Sequence, residues 1–245
     1  MEGGVPATTL TLPEGGDIRV IGKIDRVDVF KAGTTPYVRV VDYKTGHKDF
    51  RLSEVAAGIN LQMLLYIFSL WDNGAARYGG DVTPAGVLYL PAKLPVVKVT
   101  ADTEAEQRER EQTKAMRMNG LLLDNPEILE AMEADVAGLF IPAKLKKDGT
   151  PDAYSSVASL AQFGKLKHRV EDLLRQMGEQ LHAGDVAAVP VSDGKQLDGC
   201  EYCPYKAVCG HEPGDATRMI DKTDAAEVWR ELENSEISEK NTCNF

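Results

Sequence analysis

The chain has 245 residues, a hydrophobic fraction of 43% and a formal net charge of −10. A chain of this length can bury a full core, and no apolar run reaches the roughly 18 residues that a membrane-spanning helix needs, so we expect a soluble cytoplasmic protein with no membrane partner. The negative charge argues against a broadly basic surface for nucleic acid, because phosphate contacts need Lys and Arg, although a local basic channel would be enough.

The first predicted elements are β-strands that carry two acids and a lysine. Strands are expected at 18–21, 22–28 and 37–46, the last two adjacent in the sheet. Because side chains alternate along a strand, Asp42 and Lys44 point to the same side, about 7 Å apart at roughly 3.3 Å per residue. A carboxylate and an ammonium beside an apolar strand are costly unless something uses them.

Together with Asp25 on the neighbouring strand, this arrangement suits phosphodiester hydrolysis. Two acidic side chains can hold a hard divalent cation such as Mg²⁺, and a lysine can orient the attacking water or stabilise the developing charge. The alternative is a surface hairpin with ordinary solvated charges.

A long helix is predicted next, from an N-cap at Ser53 to Trp71. Gln62 and Tyr66 lie on one stripe of this helix, and most of its remaining surface is apolar, so the helix is expected to be buried. A buried amide without partners costs roughly 1–3 kcal/mol. Gln62 is therefore either a core residue bonded to nearby backbone or, with Tyr66, a brace for the acidic strands or a contact to phosphate.

The remaining elements indicate an α/β fold with a mixed sheet. A strand at 85–90 is expected to form a hairpin with a second strand at 96–99, and the predicted helices are at 104–118, 125–134 and 159–183. The stretches 143–147 and 165–169 are candidates for a basic channel, or else a solvated loop and a solvated helix face. No phosphate-binding G-x-x-x-x-G-K-[ST] loop is present, so this chain does not itself hydrolyse ATP.

Three cysteines form a C-x-x-C-x5-C cluster at Cys200, Cys203 and Cys209. Thiols this close in a chain with only four cysteines indicate one soft-metal site. Zinc and an iron–sulfur cluster both accept thiolates, so the spacing leaves the two open.

The segments Gly22-x-Ile24-Asp25, Asp42-Tyr43-Lys44 and Gln62-x-x-x-Tyr66 resemble, in order and spacing, the RecB-like branch of the PD-(D/E)XK nuclease superfamily. The resemblance implies a restriction-endonuclease-like core with a mixed central sheet flanked by helices. It also implies that Asp25, Asp42 and the main-chain carbonyl of Tyr43 bind Mg²⁺ or Mn²⁺, that Lys44 is the catalytic lysine, and that Gln62 and Tyr66 form the additional motif of the branch. Asp28 is either a supporting acid or a solvated turn residue.

The cysteine cluster after this core, together with the segments 116–122 and 138–142, is similar to the AddB subunits of bacterial AddAB helicase–nucleases over nearly the whole chain. This resemblance implies an exonuclease that acts on single-stranded DNA during double-strand break repair, with an AddA-like partner subunit. It also implies a [4Fe-4S] cluster held by Cys200, Cys203, Cys209 and a fourth, upstream cysteine, with zinc as the second choice. The competing hypothesis is an inactive nuclease-like module that binds DNA or docks a subunit.

The sequence departs from that pattern at its beginning. No cysteine precedes Cys200, and the helix that carries the earliest acidic or histidine site residue of the family is missing. We therefore expect a piece of a longer polypeptide, and Cys243 and His211 are considered as replacements for the fourth cysteine. The expected division is a nuclease core at 1–195, a cysteine region with a C-terminal knuckle at 196–215 and an acidic mobile tail at 216–245.

Overall fold

The computed structural model describes residues 4–46, 48–93, 96–98, 100, 103–195, 197–221 and 223–242. They divide into two compact units. The first contains residues up to 9, 19–50 and 60–168, and the second contains 10–18, 51–59 and the chain from 169 onward. No helix among the described residues is long and apolar enough to cross a membrane.

The first unit is built on a five-stranded mixed sheet. Its strands, in spatial order, are β3 (Arg26–Ala32), β4 (Thr35–Lys44), β5 (Thr83–Pro91), β6 (Asn119–Leu123) and β7 (Val157–Ala158). β4 pairs with β5 in parallel, whereas β3 and β6 run antiparallel to their neighbours β4 and β5. The predicted α/β fold with a mixed sheet flanked by helices is confirmed.

Two small sheets and eight α-helices complete the described part of the chain. The small sheets are β1 (Thr8–Thr11) with β2 (Asp17–Val20), and β8 (Val191–Ser192) with β9 (Arg218–Met219). The helices are α1 (Leu52–Ala56), α2 (Gln62–Asn73), α3 (Ala75–Tyr78), α4 (Ala105–Ala115), α5 (Pro126–Met132), α6 (Leu160–His182), α7 (Lys206–Cys209) and α8 (Ala225–Thr242), and a 3₁₀ turn follows α5 at Ala134–Val136.

The predicted helix from Ser53 to Trp71 is wrong, because the chain breaks it into α1 and α2. Gly58 and Asn60 have φ angles of 82° and 57°, in the left-handed region that a right-handed helix does not contain. The N-cap of α1 is Arg51, and Ser53 lies inside the helix. The break leaves Gln62 at the first position of α2, where its side chain is exposed.

The predicted hairpin of 85–90 with 96–99 is also wrong. β5 pairs with β6, with Leu88 opposite Gly120. Gly120 permits this close pairing, since a Cβ there would overlap the Val87 carbonyl oxygen. β6 occupies this edge because it offers an apolar run that becomes buried, whereas Val96 remains 95% exposed. Residues 96–98 form no strand, and Pro95 and Val99 lie outside the described residues.

One buried hydrophobic cluster of the first unit lies on the sheet beside β6. Its buried residues are Val41, Leu88, Leu122, Leu129, Val136, Ile141 and Ala143. The buried Glu133 carboxylate fixes the following loop by accepting hydrogen bonds from the N–H groups of Leu139, Phe140 and Ile141 at 2.8, 2.8 and 3.0 Å. A carboxylate satisfied in this way is stable in the interior, and it gives the 138–142 segment its defined path.

The second unit contains α1, the later part of α6, the cysteine segment and α8. Residues 225–242, which were expected to belong to a mobile tail, form α8, whose Val228 and Leu232 are buried. α8 packs near α1 within this unit. The division at 195 and 215 and the cysteine knuckle stay predictions.

Candidate active site and cysteine cavity

Two candidate site residues lie at the end of β4. The Lys44 Nζ is 2.6 Å from the Asp42 Oδ2. Asp42 is buried, with 6% of its surface exposed, whereas Lys44 is half-buried and its ammonium lies 5.6 Å from the centre of the Tyr89 ring. The two charged side chains thus project from one face of the strand, in agreement with the alternation of a β-strand.

The Asp42 carboxylate keeps one oxygen without a hydrogen bond. Its Oδ2 is buried and accepts none from any described residue. The same oxygen lies 2.6 Å from the Lys44 Nζ, so the contact is an ion pair. Lone pairs on a buried carboxylate suit a hard divalent cation such as Mg²⁺ or Mn²⁺, so the donor set at this position fits such an ion.

Asp25 lies immediately before β3, where the chain bends. Arg26 is opposite Val41 in the antiparallel pair, so the next step of the same register brings Asp25 beside Asp42. The Tyr43 N–H donates a hydrogen bond to the Asp25 Oδ2 at 3.3 Å. The Asp25 side chain, rather than a backbone carbonyl, accepts this hydrogen bond from Tyr43. The strand predicted at 22–28 therefore begins only at Arg26.

Gln62 and Tyr66 lie one turn apart on α2, and the Gln62 Nε2 donates a hydrogen bond to the Tyr66 hydroxyl at 3.1 Å. The Tyr66 ring lies against Gly22, where an added Cβ would be 2.7 Å from its Cε1. Gly22, Asp25 and Tyr66 line one cavity of about 540 Å³. α2 therefore supports the segment that leads to Asp25.

The prediction that Gln62 is a buried amide is wrong. Gln62 is exposed, because α2 begins with it and buries a different face of the helix. That face consists of Met63, Leu64, Ile67, Phe68 and Leu70. An exposed amide can bond to water, so no desolvation cost constrains Gln62.

Asp28 lies inside β3 and forms ion pairs with Arg26 at 2.7 Å and Arg39 at 2.8 Å. Burial raises the pKa of Asp28, but the hydrogen bonds from Arg26 and Arg39 outweigh it and hold that pKa below its ordinary value. The hydrogen bond with Asp28 in turn raises the pKa of Arg26. Asp28 is thus neither a turn residue nor close to Asp42, since its partner Arg39 lies on the opposite face of β4 from Asp42.

A basic groove that sequence reasoning missed lies beside Lys44. It is a cavity of about 440 Å³ whose basic lining residues are Lys44, Lys48, Lys93, Lys114 and Arg117. Of the two basic stretches proposed from sequence, 165–169 is engaged in other contacts: Lys167 pairs with Asp72 at 3.2 Å, and Arg169 donates to the Ala56 carbonyl at 3.0 Å. The sequence did contain an indication of the groove, because lysines lie at or just after the carboxyl ends of β4 and β5. The carboxyl ends of parallel strands meet at one edge of the sheet.

The three cysteines of the cluster line a single cavity. Cys200, Cys203 and Cys209 are free thiols, and with His211 they contribute to the walls of a cavity of about 320 Å³. Cys243, the other candidate for a fourth ligand, lies outside the described residues.

Neither site closes around an ion by itself. Within the described part of the chain, no group of three or more His, Cys, Asp or Glu side chains is arranged to hold a metal ion. The end of β4 offers two carboxylates and a main-chain carbonyl, and the cysteine cavity offers three thiols that share a wall. The soft thiols suit zinc or an iron–sulfur cluster, but their present arrangement does not complete a site.

The sequence of residues 2–210 matches the PD-(D/E)XK nuclease superfamily. The chain belongs to this superfamily. It is also similar to the B subunit of the ATP-dependent helicase/deoxyribonuclease of Symbiobacterium thermophilum, with 38% identity over 94% of this chain and 20% of the relative. The corresponding B subunits of Thermoanaerobacter sp. and Clostridium acetobutylicum are each 34% identical, over 93% and 97% of this chain. The chain spans about a fifth of the length of these relatives.

Proposed function

We propose that this chain of the PD-(D/E)XK nuclease superfamily is a metal-dependent deoxyribonuclease unit whose reaction centre is the end of β4. The observation that carries the proposal is the buried Asp42 carboxylate, whose Oδ2 forms an ion pair with Lys44 and which lies beside Asp25. Asp25, Asp42 and the Tyr43 carbonyl would hold Mg²⁺ or Mn²⁺. When bound, such an ion polarises the phosphoryl oxygen and lowers the pKa of a bound water.

The side chains of the site have separate tasks in this proposal. Lys44 places a positive charge at the scissile phosphate, where it orients the attacking water and stabilises the charge that develops on phosphate oxygens. Its position is fixed by Asp42 and by the face of Tyr89. The Tyr43 N–H orients the Asp25 carboxylate, and Tyr66, whose hydroxyl accepts from Gln62, supports the segment before Asp25.

The relatives support a deoxyribonuclease that acts in a complex, since those proteins are B subunits of ATP-dependent helicase/deoxyribonucleases. We propose further that this chain is an exonuclease on single-stranded DNA, that an AddA-like helicase partner supplies this DNA, and that the reaction takes place in the cytoplasm during break repair. We also assign a [4Fe-4S] cluster to Cys200, Cys203 and Cys209, with zinc as the alternative. The free thiols and their shared cavity support this assignment.

The second candidate function is an inactive nuclease-like module that binds DNA or docks a subunit. The basic groove beside Lys44 favours it, because binding of phosphates by Lys and Arg needs no metal ion. The two functions differ in what they require of Asp42: hydrolysis needs its charge, whereas docking needs only its shape.

The test is Asp42→Asn in the full-length polypeptide, which keeps the shape and removes the charge. We expect loss of divalent-metal-dependent cleavage of DNA by a factor of about 100 or more, with circular dichroism unchanged. Asp28→Asn is the matched control, because Asp28 is a strand carboxylate on the other face of the sheet, and it should retain cleavage. Wild-type rates in Asp42→Asn would overturn the nuclease proposal and favour the docking module.

A further inference from the structure

The basic groove is the strongest feature that the reaction centre leaves unexplained. It shares Lys44 with that centre and is also lined by Lys48, Lys93, Lys114 and Arg117. Five cationic side chains thus line one cavity of a chain whose net charge is −10. Among the described residues that line the groove, none is acidic, so the local potential is opposite in sign to the overall charge.

The groove cations keep most of their charge uncompensated. Lys48 donates to the Asn60 side-chain oxygen, and Arg117 donates its Nε to the Ile141 carbonyl at 3.0 Å. Both acceptors are neutral, so they orient the cations without cancelling their charge. Lys93 and Lys114 are exposed and have no acidic partner among the residues that the structure describes. Only Lys44, the member shared with the reaction centre, is paired with an acid in this part of the structure.

The groove is built on the ends of the central strands of the first unit. Lys44 is opposite Pro91 at the ends of the parallel strands β4 and β5, and Tyr89 is opposite Asn119 at the start of β6. Asn119 also fixes the segment after β4, because its Oδ1 accepts a hydrogen bond from the Phe50 N–H at 2.6 Å. The cations therefore surround a cavity whose floor is the sheet itself.

The lining chemistry identifies the kind of ligand. Lys and Arg side chains neutralise phosphates, whereas stacking of the bases of a single strand needs exposed aromatic rings. The aromatic ring in the lining, Tyr89, is 5% exposed, and the Asn119 amide is engaged with Phe50 and Asp49. The groove therefore suits the backbone of a nucleic-acid strand read without regard to sequence.

Resting on the proposed nuclease function, we propose that the basic groove binds the phosphates of the DNA strand that flank the phosphate cut at Lys44. Lys93 and Lys114 neutralise flanking phosphates, and Lys48 and Arg117, which neutral acceptors orient, keep the DNA strand in the groove. The contacts are electrostatic, so they release counterions and make binding strongly dependent on salt.

The experiment compares two double variants of the full-length protein that remove the same charge. Lys93→Gln/Lys114→Gln changes the groove, and Lys146→Gln/Lys147→Gln changes two exposed lysines in a loop that sequence reasoning also proposed for DNA. Binding of fluorescent single-stranded and duplex oligonucleotides of several sequences is measured by anisotropy in chelator, across a salt series, so that no cleavage occurs.

For single strands, each lost phosphate contact lowers the slope of log affinity against log salt by about 0.7. We expect the groove variant to lose about 1.4 in this slope, equally for all sequences, while the loop variant keeps the wild-type slope. A smaller salt slope for the groove variant than for the wild type, on single-stranded or duplex DNA, supports the proposal that the groove binds DNA. Equal slopes for both variants and the wild type overturn this proposal.

Failure of the nuclease proposal would look different. If the wild-type protein does not cleave DNA but the groove variant has a smaller salt slope than the wild type, the groove proposal stands and the nuclease proposal fails. If the wild-type protein cleaves DNA and only the loop variant has a smaller salt slope, the nuclease proposal stands, and the DNA binds at 143–147 instead of in the groove.

Discussion

The end of β4 and the cysteine cavity are the two predicted metal sites of this chain, and they stand on different scaffolds. β4 has a hydrogen-bonded strand on each edge, and Asp42 is buried within it. The cysteines lie in a segment whose regular elements are the four-residue α7 and the two-residue strands β8 and β9. Tyr202 and Val208, beside the thiols, are 88% and 82% exposed.

This difference indicates how each site depends on its metal. A site on a paired central strand exists before the ion binds, since backbone hydrogen bonds and burial hold its ligands. A site on short elements with exposed apolar side chains gains its order from the metal, because binding and folding are then coupled. We therefore expect removal of metal to leave β4 intact and to loosen the cysteine segment.

The largest expected effect tests the cysteine half of the comparison. Cys203→Ser removes one of three thiolates, so bound iron or zinc should fall from about one site per chain to none, and hydrogen exchange over 197–221 should rise by orders of magnitude while β4 stays protected. Metal content, acid-labile sulfide and visible absorbance measure the first effect, and they also separate a brown iron–sulfur protein from a colourless zinc protein.

Two further variants locate the fourth ligand of the cysteine site. His211→Gln and Cys243→Ser each remove one candidate, and the one that loses metal identifies it. Full metal content in Cys203→Ser, or equal hydrogen exchange with and without metal, would break the contrast between the two sites.

A smaller effect tests whether α2 supports the reaction centre. Gly22→Ala places a methyl group 2.7 Å from the Tyr66 ring, so either Tyr66 or the segment before Asp25 must move. Displacements of this size in a catalytic array reduce rates strongly, and we expect DNA cleavage to fall about tenfold while the unfolding midpoint changes little.

The matched control for Gly22→Ala is Gly164→Ala in α6, where an added Cβ meets nothing within 4 Å. This change should leave cleavage unaltered and stabilise the protein by about 0.5–1 kcal/mol, as alanine does in helices. Wild-type cleavage in Gly22→Ala would show that Tyr66 tolerates displacement and that α2 does not position Asp25.

Local pattern predicted the arrangement of Asp42 and Lys44 better than it predicted the elements around them. Asp42 and Lys44 meet because the two-residue period of one strand decides it. The order and spacing of the motifs at Asp25 and Gln62 predicted which neighbouring strand and helix lie beside Asp42 and Lys44. In contrast, the break between α1 and α2 depends on the backbone at Gly58 and Asn60, and an apolar pattern that continues on both sides conceals it.

Long-range pairing explains the other differences from the sequence-based predictions. The choice of β6 as the partner of β5 depends on a more distant segment that buries more apolar surface than its nearer rival does. The basic groove combines cations between Lys44 and Arg117, which no single window of sequence contains. Parallel pairing of β4 and β5 brings them together, and this pairing became visible only in the fold.

The smallest expected effect concerns Asp28, the strand carboxylate on the face opposite Asp42. Its ordinary pKa is 3.8, and hydrogen bonds from Arg26 and Arg39 outweigh the effect of burial and lower it in the folded state. A lowered carboxyl pKa stabilises the fold fully above the ordinary value, and this stabilisation is lost as the pH falls through the lower, folded-state pKa. Asp28→Asn should therefore cost about 1 kcal/mol at neutral pH and nothing in sufficiently strong acid.

Urea unfolding of the wild type and Asp28→Asn, from neutral pH down to well below the ordinary carboxyl pKa, measures this difference. Arg39→Gln completes a double-mutant cycle, and because Arg39 is the more buried partner, it should account for most of the coupling. A stability difference that stays constant with pH would mean that the shape of Asp28 matters rather than its charge. The two faces of the sheet would then differ in role, since charge would be essential at Asp42 and dispensable at Asp28.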